Sequence, residues 1–154
     1  MMDRHIAGRG LVTVLVIGVL LAGATSLFAH AGVKNSAVKA RMDAMSAIGR
    51  SMKVIGEMAK GATVFDAGAA RAAAEEIARQ SAATPDLFRA PETDPMTEAL
   101  PAIWDTFDEF TRMAVDMERT ATEVAEAIVV PEDARVAAAA LGETCKACHA
   151  RYRK

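Results

Sequence analysis

The chain has 154 residues, 52% of them hydrophobic but only 5% aromatic, with 18 basic and 20 acidic side chains. This length suits one domain with a substantial core. The acidic balance argues against a basic face for nucleic acid, and two cysteines are too few for a disulfide-rich scaffold. No window alternates apolar and polar residues as a half-buried strand would, which excludes a mostly-β fold.

Residues 1–31 have the order of a secretory leader. Arg4 and Arg9 supply a weakly positive head, Leu11 to Leu21 an apolar run, and Ala29-His30-Ala31 a small-residue cleavage site. The rival is an uncleaved anchor, because the nineteen residues from Leu11 to Ala29 carry no charge and such a length can span a bilayer. Cleavage predicts an exported, periplasmic domain of residues 32–154 with 16 basic and 19 acidic side chains and no membrane attachment of its own. Loss of His5 and His30 would leave His149 as its single histidine.

Periodicity then predicts four helices. Val33 to Lys60 repeats Val38, Met42 or Arg41, Met45, Ile48, Met52, Ile55 and Ala59 at spacings of three and four, which makes one apolar face. Gly61 is placed to end it. Gly49 and Gly56 each cost about 1 kcal/mol relative to Ala inside a helix and lead to the expectation that something packs closely there. Asp66 is a natural N-cap for a second helix to about Ala83, with Ala70, Ala73 and Ile77 inward. Thr84 to Pro101, with four prolines, is expected to be irregular apart from a short helical turn around Met96 to Leu100. Ile103, Phe107, Phe110, Ala114, Met117, Ala121, Val124 and Ile128 mark the third helix, with the seam of a left-handed bundle. Pro131, Glu132 and Asp133 open the fourth, with proline in the first turn and acids on the positive end of the dipole. Its inner stripe is Ala137, Leu141, Cys145, Cys148 and Tyr152. The fold expected is all-α: an antiparallel up-down-up-down four-helix bundle.

Cys145-Lys146-Ala147-Cys148-His149 is C-x-x-C-H, the attachment pattern of haem c. Two thiols add across the vinyl groups of one porphyrin and the next side chain reaches the iron. On a helix, positions i, i+3 and i+4 share a face and allow all three contacts. Three other readings fit less well. A thioredoxin-like pair needs a βαβ setting, a zinc site needs further soft ligands, and a local disulfide leaves His149 without a task. The cofactor expected is one covalent haem c, held by thioethers at Cys145 and Cys148 with His149 as proximal iron ligand.

A C-x-x-C-H at the end of the last of four helices resembles the class II cytochromes c, comprising cytochrome c′ and its low-spin relatives. The likeness extends through Arg41-x-x-x-Met45, Ile48-Gly49, Met52, Ala59-Lys60-Gly61, Phe65-Asp66, Leu87-Phe88, Ile103-Trp104 and Cys148-His149-x-x-Tyr152-Arg153. It implies that the Met45 position faces the distal side of the haem, and that Met there goes with a six-coordinate electron carrier. Methionines 42, 45, 52, 58, 96, 113 and 117 lie beyond the leader. Met45 is the candidate distal ligand, Met42 the reserve one turn earlier, and plain core packing the competing role for a methionine on this stripe. The likeness also makes Arg41 a candidate contact for a haem propionate, against the alternative of a solvated arginine.

The function expected is single-electron transfer in the periplasm by a His/Met-ligated, low-spin haem. The alternative is a five-coordinate, cytochrome c′-like protein that binds NO or CO at an open distal site. No catalytic acid–base or nucleophile pair can be identified from spacing, so an enzyme is not expected. The redox partner protein is unidentified, and the resemblance implies a homodimer through the first two helices as one oligomeric state.

Overall fold

Asn35 starts the first helix, α1 (Ser36–Ala59), by accepting hydrogen bonds from the Ala37 and Val38 amides at 2.9 and 3.1 Å. It therefore begins three residues later than expected from periodicity. The computed structural model describes residues 32–154, and the expected leader lies outside them. Gly61 follows the Lys60 cap with φ +69°, the left-handed conformation that glycine adopts without a Cβ penalty.

Asp66 caps the second helix, α2 (Ala67–Leu87), through the Ala69 amide. α2 runs past the expected stop at Ala83 and takes Pro85 into its final turn. A proline there withholds a ladder donor from the Ser81 carbonyl. Tertiary donors meet the carbonyls at the end of the helix: Arg41 Nε donates to the Leu87 oxygen at 2.9 Å, and Trp104 Nε1 to the Phe88 oxygen at 2.8 Å. The expected helical turn at Met96 to Leu100 is absent. In its place Pro95 and Met96 form a turn, and Ala99 makes an isolated antiparallel bridge to Arg153.

The third predicted helix divides in two. A single turn, α3 (Ala102–Asp105), is followed by Thr106 at φ −132°, ψ 45° and then by α4 (Phe107–Ala127). The Thr106 hydroxyl accounts for the break locally, since it meets both the Ala102 carbonyl and the Tyr152 hydroxyl at 2.9 Å. The last helix, α5 (Pro131–Tyr152), starts as expected, with the Asp133 carboxylate accepting from the Val129 and Val130 amides.

α1 packs on α2 and α5, and α4 packs on the same two helices. The four long helices thus form an antiparallel ring in chain order, as expected. The core has two parts. An aliphatic cluster gathers Ile48, Ile55, Ile77, Ile128 and Leu141 with buried alanines. An aromatic cluster at the other end holds Phe88, Ile103, Phe110 and Tyr152, with Trp104 and Phe107 against it. A fully buried isoleucine or leucine contributes roughly 1.5–3 kcal/mol, so the aliphatic part is a major favourable term in closing the bundle.

The phase of α1 differs from the periodic reading. Its buried residues are Val38, Arg41, Ala44, Ile48, Ser51 and Ile55, whereas Met45 and Met52 lie half-buried beside that stripe. A Cβ at Gly49 or Gly56 would meet nothing within 4 Å. The close contact expected at these glycines is therefore missing among the described residues.

The main surprise is Arg41, only 3% exposed. Besides Leu87, its guanidinium donates to the carbonyls of Glu92 at 2.8 Å and Ala90 at 2.5 Å. It also lies 4.8 Å from the Phe88 ring centroid and 5.4 Å from that of Trp104. Burial pulls its pKa down and nearby Glu92 opposes this; a guanidinium keeps its charge regardless. A second fastening lies close by. Asp94 accepts from the Lys34 and Asn35 amides at 2.9 and 3.0 Å and from the Met96 amide at 2.9 Å.

Two outcomes follow from these fastenings. Replacing Arg41 with Met should cost roughly 2–4 kcal/mol, because charged hydrogen bonds to loop carbonyls are lost. Arg41→Lys should recover less than half, since an ammonium lacks the planar fork; chemical denaturation of the holoprotein measures both. The three amides hold the Asp94 carboxyl below the usual carboxylate range. Its contribution is therefore complete above the ordinary Asp value of about 3.9 and is lost as pH falls through the depressed folded value. Asp94→Asn should flatten that acid limb in melting curves recorded against pH.

Candidate functional site

The cysteines occupy successive turns of α5 where the two core clusters meet. Cys145 packs against the aliphatic cluster and Cys148 against the aromatic one. Both thiols are free and half-buried. Burial pushes the pKa of each upward, and for Cys148 the neighbouring Cys145 adds to the effect; the pair is held as neutral thiols. His149, next in sequence, is exposed. Partial desolvation, and then the Arg153 cation, lower its imidazole pKa against an opposing effect of Glu98. That favours the neutral ring, the form that binds metals.

The turn carrying these residues is fastened from outside the helix. Leu100 donates its amide to the Tyr152 carbonyl, and Lys154 donates its own to the Glu98 carbonyl, both at 2.9 Å. Arg153 Nε meets the Glu98 carboxylate at 2.6 Å. Arg151 forms a two-pronged pair with Glu109 on α4. The Tyr152 ring stands edge-on to Phe110 with centroids 5.4 Å apart.

Contacts between helices set the height of each residue along the bundle. Arg41 on α1 meets Leu87 and Phe88 at the end of α2, Phe88 meets Phe110 on α4, and Phe110 meets Tyr152 on α5. One turn further into the bundle are Met45, Thr84, Ala114 and Cys148. The next layer holds Ile48, Ser81, Met117 and Cys145. The hydrogen bond from Thr144 to the Met117 sulfur confirms this register between α4 and α5. Met45 therefore lies level with the cysteines and, like Cys145, packs against the aliphatic cluster.

The residues in these two layers suit a large planar group. Buried Ser81, Thr84 and Ala114 are small, and the same layers carry two half-buried thiols and a half-buried thioether, with an exposed imidazole next in sequence to Cys148; these are the donor types that hold haem c. Haem c fits this donor set.

The remaining sequence candidates divide. Arg41 spends three of its five N–H donors on loop carbonyls, so a propionate would have only two to engage; its demonstrated work is to hold the loop. Met42 is half-buried one turn earlier on α1 and belongs to neither core cluster. Sequence reasoning missed Ser81, a buried hydroxyl without a hydrogen-bond partner. A serine within an alanine-rich helix gives no signal of that kind. Among the described residues, no helix is long and apolar enough to cross a membrane.

Comparison with known proteins agrees with this geometry. Residues 36–153 match the family model described as Cytochrome C'. The chain is 35% identical over 117 residues to cytochrome c-556 of Agrobacterium tumefaciens (strain II Chrys), covering 75% of this chain and 95% of the relative. It is 36% identical over 122 residues to cytochrome c' of Pararhodospirillum photometricum, covering 76% and 95%. The solved structure of cytochrome c' from Rhodopseudomonas palustris superposes with a TM-score of 0.73 at 26% identity, over 79% of this chain and 98% of that one. The half-buried C-x-x-C-H turn, the bundle around it and these likenesses together make the chain a member of the cytochrome c′ family, whose haem c is covalently attached and whose members are haem-binding, electron-carrying cytochromes.

Proposed function

We propose that this protein is a periplasmic carrier of single electrons whose haem iron is bound by His149 and Met45 and is low-spin in both oxidation states. Thioethers at Cys145 and Cys148 would tether the ring to α5. The observation carrying the proposal is the placement of Met45, level with the cysteines and packed against the same aliphatic cluster as Cys145. Bound haem supplies a one-electron Fe(III)/Fe(II) couple, and a thioether axial ligand raises its potential.

The polypeptide's part is to orient and to exclude water. The aromatic cluster of Phe88, Phe110 and Tyr152 would flank the haem on the Cys148 side. Ile48 and Met117 would flank it in the layer of Cys145. The Leu100 and Lys154 amides fasten the chain just beyond His149. Met45 is half-buried on a helix whose start is held by Asn35 and Asp94, which keeps its position fixed relative to α5.

Oxidised holoprotein should show the far-red methionine-to-iron charge-transfer band. Met45→Ala should abolish it and give a high-spin spectrum with rapid uptake of CO by the ferrous form. A low-spin Met45→Ala spectrum would overturn the ligand assignment. High-spin wild-type protein that binds NO rapidly would support the five-coordinate gas-binding alternative instead. Mass spectrometry should find one haem added to the chain, and Cys145→Ala with Cys148→Ala should release it to acidified organic solvent.

A further inference from the structure

Ser81 holds the buried side-chain oxygen that lacks a hydrogen-bond partner among the described residues, and the residue is 2% exposed. Neighbouring hydroxyls behave differently. Thr84 donates to the carbonyl four residues before it, as do Thr106, Thr120 and Thr122, and Thr144 donates to the carbonyl three residues before it. Such back-bonding is the ordinary recourse of a helical hydroxyl. Ser81 forgoes it, and an unsatisfied buried hydroxyl costs about 1–3 kcal/mol. In an alanine-rich helix the cheaper residue at this site would be alanine.

The position of this hydroxyl indicates its use. Arg41 and Leu87 are in direct contact across α1 and α2. Met45 lies four residues beyond Arg41 and Ser81 six before Leu87. At 1.5 Å per residue these offsets are about 6 and 9 Å into the bundle, leaving an axial difference of ~3 Å. Ile77, one turn from Ser81, and Ile48, one turn from Met45, belong to the cluster against which Met45 packs. Thr84, the other hydroxyl in this part of α2, is already committed to the Gln80 carbonyl. The Met117 sulfur already has the Thr144 hydroxyl within hydrogen-bond reach, whereas no hydrogen bond among the described residues reaches the Met45 sulfur.

We propose that the Ser81 hydroxyl donates a hydrogen bond to the Met45 sulfur when that sulfur is bound to iron, making Ser81 a positioning residue for the axial ligand. The proposal rests on ligation by Met45. A thioether that gives one lone pair to the metal keeps a second as a weak acceptor. A hydrogen bond to it draws electron density from the sulfur, stabilises the ferrous state and restrains the side chain in its bound rotamer, as outer partners of metal ligands generally do.

Redox titration and the far-red band of the oxidised holoprotein test this in wild type, Ser81→Ala and Ser81→Thr. All three should keep the band, because Met45 still binds. In Ser81→Ala it should shift, and at fixed poise the ferric-to-ferrous ratio should rise roughly two- to tenfold, the worth of one hydrogen bond. Ser81→Thr should return both toward wild type. A Ser81→Ala protein with unshifted band and unchanged titration would overturn the Ser81 proposal while leaving Met45 as ligand. Absence of the band from the wild type would overturn both. Thermal melting separates a merely structural role, since a hydroxyl that stays unpaired in the holoprotein makes Ser81→Ala more stable with no optical change.

Discussion

The buried guanidinium of Arg41 is the interaction on which the haem end of the bundle depends. A charge is expensive to bury unless its donors are satisfied, and here three carbonyls and two aromatic faces meet it. That one residue ends α2, anchors the irregular segment after it and aligns α1 with both. Beyond Pro85, side chains from elsewhere meet the last carbonyls of α2 and its cap. The clamp acts together with core packing of α1 on α5 to set the height of Met45 relative to the cysteines.

The cysteines sit within this alignment. Among the described residues, Phe88, Trp104, Phe107, Phe110 and Tyr152 gather at one end, while the other is mainly isoleucine, leucine, alanine and methionine with Phe65 at its margin. Cys145 and Cys148 stand at the boundary, each against a different cluster. Ser81, Thr84 and Ala114, all small and buried, stand in the same layers as the cysteines.

Much of this was legible in the sequence. The four long helices, the caps at Gly61, Asp66 and Pro131, and the C-x-x-C-H turn all depend on local rules that operate within a few residues. What escaped notice depended on distant partners. Nothing near Arg41 shows that it is buried by carbonyls about fifty residues away, and its burial shifts the phase of α1, leaving Met45 and Met52 beside the core stripe. Pro85 reads as a helix stop until the outside donors are known. The break at Thr106 requires the Tyr152 hydroxyl, forty-six residues on. Ser81 stands apart only through its tertiary setting, which buries its hydroxyl without a hydrogen-bond partner.

The end of a helix ordinarily frays, because its last carbonyls lack partners within the helix. α5 is different: a short length of extended chain pairs with residues 152–154, and arginine–carboxylate pairs flank it. The turn next to His149 is thereby quieted at the place where thermal disorder would be greatest. For a protein that hands on charge, this has a kinetic meaning. A haem held beside this turn would meet a frame with little cause to rearrange, which would keep the nuclear motion accompanying each transfer small and so speed it.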